Sequence, residues 1–210
     1  MPATSIVLVG GKSTRLGKDK ITELIGGESL LQRVLARLAT FSTDIILVTA
    51  QGQALPEFSQ PKTRIIEDLI PDGGSLGGIY SGLQASSSSH NLLIAGDMPF
   101  LNVPLLQYLL EISPPFDVVV PQANGFLEPL HAVYSQNCVP QIRRLLEEDN
   151  HKILDFFPQV KVKYVEEGLN RFDPKHLSLF NINTREDLAK ARQLVLSGET
   201  VEADREIHTP

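Results

Sequence analysis

The stretch from Gly10 to Lys20, GGKSTRLGKDK, concentrates the residue types that bind phosphate groups. It begins with two glycines and contains four basic residues and one acidic residue. This local positive charge contrasts with the formal net charge of −6 for the whole chain. Glycine lets the backbone turn sharply and approach a ligand closely, and clustered cations attract phosphate oxygens. The stretch therefore predicts a polyphosphate site, with a solvated turn as the alternative.

The spacing of this stretch excludes two common phosphate-binding loops. A P-loop, GxxxxGKS, would need a glycine at position 6, where the chain has Ile6. A dinucleotide fingerprint, GxGxxG, would need a glycine where the chain has Lys12. The loop is therefore of another kind.

Carboxylates and further glycines follow other predicted strands. Asp68 comes after the strand around 64–66, and Asp97 comes directly after the apolar run 91–96. Ligands of open parallel sheets lie outside the carboxyl ends of the strands, so these carboxylates should converge with the loop at Gly10. An ionised Asp beside a polyphosphate is poorly placed unless a cation lies between them, which makes Asp97 the predicted Mg²⁺ ligand. Its alternative role is that of a turn residue.

Four motifs together resemble the MobA-like nucleotidyltransferases, in the order and at about the spacing of that family. The loop matches the signature G-G-x-S-x-R-[ML]-G-x-D-K, and a glycine-rich segment matches G-[PS]-L-x-G. A D-x-P motif and an N-x-N-T motif follow. In this chain they are the loop Gly10–Lys20, the segment Gly74–Gly78, Asp97-Met98-Pro99 and Asn181–Thr184. Without the resemblance, the second segment is also compatible with a simple glycine-rich connector.

The resemblance implies an activity. By this resemblance the chain is expected to join the GMP moiety of GTP to the terminal phosphate of molybdopterin carrying molybdenum, release pyrophosphate and form the guanine dinucleotide cofactor. Mg²⁺ is the expected cofactor, GTP and molybdopterin are the expected substrates, and molybdoenzyme-maturation proteins are expected partners. Nucleic acid and membranes are not expected as partners, and the expected location is the cytoplasm.

The resemblance also implies roles for individual residues. The catalytic residues would be Arg15, Lys20 and Asp97. The nucleotide-binding residues would be Leu8, Val9, Gly10, Gly11, Lys20, Asp68 and Asp97. Arg15 would bind the β- and γ-phosphates and Lys20 the triphosphate near the reacting centre, while the N–H groups of the two glycines would meet phosphate oxygens.

Two further residues have weaker assignments, and two positions depart from the family pattern. Asn183 would help to hold the metal, or it forms only a polar turn before a capped helix. His131 would lie on the substrate side of the cleft, or it is a half-buried strand residue. Thr49 stands where relatives often have Asn, and Val9 where Ala is usual. Selectivity for the base is therefore less well defined than the fold.

The remaining chain alternates predicted strands and helices, which is typical of α/β proteins. We predict one Rossmann-like domain over residues 1–197, followed by a flexible tail, 198–210. The domain should have a mostly parallel sheet with helices on both faces, in the nucleotide-diphospho-sugar transferase type of fold. Ser29 and Thr184 are predicted helix caps, with Asp187 completing the second cap, and Asn124-Gly125 is a predicted hairpin turn. Short strands are expected at 21–25 and 177–180, and Pro129 is expected to make its strand an edge or bulged one.

Composition limits the other possibilities. Hydrophobic residues make up 42% of the 210 residues and no apolar run is long enough to span a membrane, which predicts a soluble protein. The only cysteine, Cys138, is expected to be a structural thiol rather than a reactive one. Two other functions stay open: a related transferase that uses CTP or another phosphorylated acceptor, and a nucleotide-binding protein without catalysis. The second is disfavoured because binding alone does not need a metal-binding carboxylate.

Overall fold

A computed structural model describes residues 3–10, 20–56, 58 and 60–200 of the chain. Its strands are β1 Thr4–Leu8, β2 Leu24–Ile25, β3 Glu28–Ser29, β4 Asp44–Thr49, β5 Thr63–Glu67, β6 His90–Ala95, β7 Val118–Ala123, β8 Phe126–Leu127, β9 His131–Ser135 and β10 Val162–Val165. Its helices are α1 Leu30–Ala39, α2 Gly74–Ala85, α3 Val103–Glu111, α4 Val139–Glu147, α5 Glu167–Phe172 and α6 Arg185–Leu196.

One eight-stranded sheet runs through the molecule in the order β10-β7-β9-β6-β1-β4-β5, with β8 paired to β7. The half from β6 to β5 is parallel throughout. In the other half β9 is antiparallel to both β6 and β7. The carboxyl ends of β6 and β7 and the amino end of β9 therefore lie at the same edge as the ends of β1, β4 and β5. The mostly parallel sheet that the sequence predicts is confirmed.

Helices cover both faces of the sheet because the central strands are apolar on both sides. On one face α1 and α3 bury a continuous core that includes Leu31, Leu38 and Leu105. On the other face α2 and α4 bury a second core that includes Ile79 and Ile142. A smaller third cluster lies beside these cores and attaches the start of α1 and helix α6 to the sheet; it consists of Ile25, Leu30, Phe100, Ile182, Leu188 and Ala191.

Local signals set several element boundaries as predicted. The Ser29 hydroxyl accepts from the backbone N–H of Gln32, and the Gln32 side chain accepts from the Ser29 N–H, which forms a capping box at α1. The β7–β8 hairpin turns at Asn124-Gly125, where both residues have positive φ, 51° and 82°. These predictions are confirmed.

Three local predictions were wrong. Residues 20–22 form a 3₁₀ turn before β2 rather than one strand through 21–25, and 177–179 form another 3₁₀ turn rather than a strand. Pro129 interrupts the second hairpin arm, but the strand after it, β9, is fully buried between β6 and β7 and is not an edge. Helix α5 was not predicted.

The end of the described chain is held against the domain. Glu199 forms an ion pair with Lys175 at 3.2 Å, and Thr200 is buried. Residues 199 and 200 of the predicted tail thus contact the domain, and 201–210 lie outside the described residues. Among the helices of the described residues, none has both the length and the apolar character required to cross a bilayer.

Candidate active site

Three of the predicted site residues meet at the carboxyl edge of the sheet. Asp97 follows the central strand β6, and its Oδ2 pairs with the Nζ of Lys20. The same Nζ donates to Oδ1 of Asn183 at 2.7 Å. The Lys20 and Asp97 side chains are 15% and 19% exposed, so one ammonium group joins two oxygen ligands in a half-buried setting.

Asn183 is fixed in this position from two directions. The backbone N–H of Ile182 donates to the carbonyl of Asp97 at 3.1 Å, which ties this segment to the end of β6. Asp187 Oδ2 accepts from the N–H groups of Asn183 and Thr184 in the predicted capping box of α6. The start of α6 thus determines where the Asn183 amide lies.

The oxygen atoms of this cluster fit a bound cation. Asp97 Oδ1 is buried and has no hydrogen-bond partner among the described residues. A buried carboxylate oxygen without a donor is unfavourable unless a cation compensates it. Asp97 and Asn183 already share one cation, the Lys20 ammonium. Mg²⁺ is usually held by one or two protein carboxylates together with substrate phosphates, so this small ligand set is adequate for it.

The backbone at the end of β1 is occupied by sheet hydrogen bonds. The N–H groups of Val9 and Gly10 both donate to the carbonyl of Val48, at 3.0 and 3.2 Å. Gly10 N–H is therefore not directed at a phosphate, contrary to the prediction. Glycine is required here for another reason: a Cβ would lie 2.7 Å from the backbone nitrogen of Ala50. The carbonyls of Leu8 and Val9 accept from Gly96 N–H and the Gln53 side chain.

Gly11 and Arg15, which belong to the predicted phosphate loop, lie outside the described residues. Their roles stay predictions.

Asp68 lies at the end of the edge strand β5 and is firmly oriented. Its Oδ1 accepts from the N–H of Ile70 at 3.0 Å and from the hydroxyl of Ser81 at 2.7 Å. Ser81 is fully buried in α2. Oδ2 has no hydrogen bond within the described part of the chain, and a Cβ on Gly77 would lie 3.3 Å from it. One carboxylate oxygen is thus left to accept from N–H donors. Sequence reasoning missed Ser81 because an i+13 partner has no local signal.

The glycine-rich segment begins helix α2 directly. Gly73 is its N-cap and makes no side-chain capping bond, so the first-turn N–H groups are not capped by it. Further along, Gly78 and Gly82 let the helix pack closely on β1, at Leu8 and Ile6. Gly78 of the predicted segment therefore serves the packing of α2 on the sheet.

Two residues singled out in the sequence point into the interior: Thr49, a departure from the family pattern, and His131, predicted on the substrate side. The hydroxyl of Thr49 donates to the carbonyl of Ile66 at 3.3 Å, and Thr49 is 1% exposed. His131 is fully buried in β9, where its Nε2 lies 3.2 Å from Ser178 Oγ. Burial lowers the pKa of His131 to about 3, so its ring is neutral at physiological pH. This geometry favours the alternative of a buried strand residue, and substrate contact by His131 stays an untested prediction.

A second polar pair, absent from the sequence-based prediction, lies on the other side of Asp97. Glu128, just after β8, accepts from the Leu130 N–H at 3.2 Å and from the Asn181 amide at 3.4 Å. Burial raises the pKa of Glu128; the Leu130 N–H lowers it and the Asp97 charge raises it further. Glu128 therefore faces the same cleft as Asp97. No motif marks it in the sequence.

Comparison with known proteins agrees with this arrangement. Probable molybdenum cofactor guanylyltransferase from Pelotomaculum thermopropionicum is 35% identical over 95% of this chain and 97% of its own length. Molybdenum cofactor guanylyltransferase from Desulfosudis oleivorans is 31% identical over 93% of this chain and 96% of its own.

Solved structures show the same architecture. Molybdopterin-guanine dinucleotide biosynthesis protein A from Archaeoglobus fulgidus superposes with a TM-score of 0.80 at 29% identity, covering 92% of this chain and 99% of that one. A 2-C-methyl-D-erythritol 4-phosphate cytidylyltransferase from Thermus thermophilus shares the fold, with a TM-score of 0.68 at 16% identity, covering 93% of this chain and 99% of that one. Residues 5–162 match the MobA-like NTP transferase domain, and the chain belongs to that family.

Proposed function

We propose that this protein is a Mg²⁺-dependent guanylyltransferase that transfers GMP from GTP to molybdopterin carrying molybdenum and releases pyrophosphate. The observation that carries the proposal is the meeting of Lys20, Asp97 and Asn183 at the end of β6. The substrates are inferred from its similarity to molybdenum cofactor guanylyltransferases. A cytoplasmic setting is part of the proposal and is supported by the lone, buried Cys138, which is not in a disulfide.

The reaction requires the protein to position the substrates and to stabilise charge, and it requires no covalent intermediate with the protein. The acceptor is a phosphate monoester, which is already ionised near neutral pH, so no general base is needed. Lys20 neutralises negative charge that develops on the triphosphate as pyrophosphate leaves. Asp97 and Asn183 would hold Mg²⁺, which when bound supplies further charge neutralisation between the attacking and leaving groups. Arg15 is proposed to bind the outer phosphates.

In this proposal the two substrates lie on opposite sides of Asp97, and the order of the strands supports it. Asp68 lies three strands away from β6, roughly 14 Å at the usual strand spacing. A nucleotide whose α-phosphate lies at Asp97 can therefore place its base near Asp68. Guanine presents N1–H and N2–H₂ donors, which the free Oδ2 of Asp68 can accept. The acceptor would then bind on the side of β9 and the β7–β8 hairpin.

Calorimetric titration with GTP, ATP and CTP in the presence of Mg²⁺ tests the choice of nucleotide. We expect GTP to bind at least about tenfold more tightly than the other two, and Asp68→Asn to remove most of this preference. Asp149→Asn, on a surface side chain that is 96% exposed, is the control and should keep it. Equal or tighter binding of CTP would replace the guanylyl assignment by a cytidylyl one.

Pyrophosphate release on mixing with GTP and molybdenum-loaded molybdopterin tests the transfer itself. Release that requires both substrates is expected. Tight GTP binding without any release would identify a nucleotide-binding protein without catalysis.

A further inference from the structure

The cleft has a second polar group of residues beside the Lys20–Asp97–Asn183 cluster. It consists of Glu128 and Asn181, joined by the 3.4 Å contact between the Asn181 amide and Glu128 Oε2. Asn181 and Asn183 flank Ile182, which is fully buried in the third core cluster. One short segment thus directs one amide to the Lys20 side of the cleft and the other to Glu128.

The position of Glu128 in the sheet places it away from the nucleotide. Gly10 and Asp68 follow β1 and β5, which lie on one side of β6, whereas β9 and β7 lie on the other. Glu128 stands between β8 and β9, and its N–H donates to the carbonyl of Pro121 in β7. Asp97 therefore separates the nucleotide half from the half that contains Glu128.

Strand periodicity adds an aromatic ring to this half. Leu127 packs into the core under α2 and α4, and its partner across the hairpin is Gln122. Phe126, paired with Ala123, points to the opposite face, and Glu128 follows it two residues later on that face. The Phe126 ring is 79% exposed at the tip of the hairpin. A large exposed aromatic side chain two residues from Glu128 on the same face is a suitable stacking surface.

The Glu128 carboxylate requires hydrogen-bond donors from the molecule that binds in its half of the cleft. The acceptor brings a phosphate, which Glu128 would repel, so the favourable contact has to come from another part of that molecule. A pterin ring presents a 2-amino group next to a ring N–H, two donors on one edge that a single carboxylate can accept together. The Leu130 and Asn181 donors hold the carboxylate in place and leave lone pairs on both of its oxygens.

We propose that Glu128, held by Asn181, is a specificity-determining residue that accepts hydrogen bonds from the amino edge of the acceptor's pterin, while the Phe126 ring stacks on its face. This inference rests on the proposed function, because that function supplies a pterin-containing acceptor. It assigns recognition of the acceptor's ring to residues separate from those that handle the triphosphate.

Binding of a fluorescent pterin tests the inference without turnover. The probes are 6-hydroxymethylpterin phosphate and its lumazine counterpart, in which an oxygen replaces the 2-amino group. Wild-type protein should prefer the pterin, and Glu128→Gln should weaken pterin binding by about tenfold and abolish that preference. Glu111→Gln, at an exposed position of α3, is the control and should change neither probe's affinity.

Phe126→Leu is a second variant, and it should fold normally because the Phe126 side chain is mostly exposed. It should weaken both probes by a similar factor, because stacking does not depend on the amino group. Neither Phe126→Leu nor Glu128→Gln should alter the affinity for GTP with Mg²⁺.

The outcomes separate this inference from the proposed function. A wild-type protein with no preference for pterin over lumazine would overturn the inference, as would a Glu128→Gln variant that binds both probes like wild type. Loss of affinity for GTP with Mg²⁺ in Glu128→Gln, with pterin affinity intact, would assign Glu128 to the cation site instead. Failure of guanylyl transfer alongside Glu128-dependent pterin binding would count against the proposed function only.

Discussion

Lys20 occupies the place of a cation between two oxygen ligands. Its ammonium group contacts Asp97 and Asn183 at once, and the other Asp97 oxygen stays buried without a partner. When a triphosphate binds, the same ammonium can move to a phosphate oxygen, since lysine is a flexible point charge. In the proposed reaction this would leave the oxygens of Asp97 and Asn183 to hold Mg²⁺.

Lys20→Ala should lower turnover by on the order of 10²-fold, because charge stabilisation near the α-phosphate is lost while no core packing changes. Steady-state kinetics and the melting temperature are the measurements. Lys163→Ala, on the exposed side of β10, is a matched lysine control that should retain full activity. Unchanged kcat in Lys20→Ala would remove the residue from the mechanism. The same loss is expected for Arg15→Ala.

Asp97→Asn should weaken the binding of Mn²⁺, used as a spectroscopic substitute for Mg²⁺, by at least about tenfold in the presence of GTP. An amide oxygen carries no net charge and cannot replace the carboxylate. Electron paramagnetic resonance of free Mn²⁺ measures this directly, with Asp149→Asn as the control. Ordinary Mn²⁺ affinity in Asp97→Asn would show that the metal is held elsewhere.

At the scale of elements, helix α2 depends on close contact with β1. A Cβ on Gly82 would overlap the Ile6 side chain, and Ile6 is fully buried. Glycine is normally unfavourable inside a helix, so its presence here reflects the approach of the helix to the sheet. The same contact fixes Ser81, and through Ser81 the orientation of Asp68.

Gly82→Ala should destabilise the protein by about 1–3 kcal/mol, because the gain in helix propensity is smaller than the cost of overpacking. Urea unfolding measures the free energy. Gln84→Ala, on the exposed side of the same helix, should be close to neutral. A Gly82→Ala protein as stable as wild type would show that α2 can shift away from β1.

Elements with local signals were predictable from the sequence, and those decided by tertiary contacts were not. Ser29, Thr184 and Asn124-Gly125 act through partners a few residues away, so their patterns are visible in the chain. The run 177–180 is apolar enough for a strand but forms a 3₁₀ turn. There Ser178 N–H donates to Asp173 and its hydroxyl meets the buried His131.

The candidate site divides in the same way. Motifs identified Lys20, Asp97 and Asn183, and the structure brings them together. Glu128 belongs to no motif, and its link to Asn181 spans 53 residues, so only the fold reveals it. The role of Gly10 was also misjudged, because the sheet bond to Val48 cannot be read from the loop sequence.

At the scale of the whole molecule, the sheet joins a parallel nucleotide half to a mixed half built around β9. The join is at β6, whose partners are β1 on one side and β9 on the other. Because β9 lies at the centre of the mixed half, protonation of its fully buried His131 should affect the stability of the whole domain.

Stability should fall as pH decreases below about 6.5, the ordinary pKa of histidine. The folded state keeps His131 neutral down to a pKa of about 3, so the unfolded chain takes up the proton first. This stability is fully present above the unfolded pKa and is lost as pH falls toward the folded one, at up to about 1.4 kcal/mol per pH unit.

His131→Gln should flatten this slope between about pH 6.5 and 4.5. The measurement is the free energy of urea unfolding at several pH values. Values above pH 7.5, where the His131 imidazole is neutral in both the folded and the unfolded chain, serve as the reference for each protein. An identical slope in the variant would assign the acid sensitivity to other groups.

The contact between Lys20 and Asn183 joins residues 163 positions apart. A ribosome delivers the amino-terminal strand and its loop first, and domains begin to fold while synthesis continues. Asp97 can take its position at the end of β6 during this time. The hydrogen bond from the Ile182 N–H to its carbonyl, and the contact of Asn183 with Lys20, can form only once the segment before α6 has been synthesised. Because the last strand of the sheet, β10, ends at Val165, the site is completed only after the whole sheet has been synthesised, and a chain interrupted before Asn183 would lack the amide that completes it.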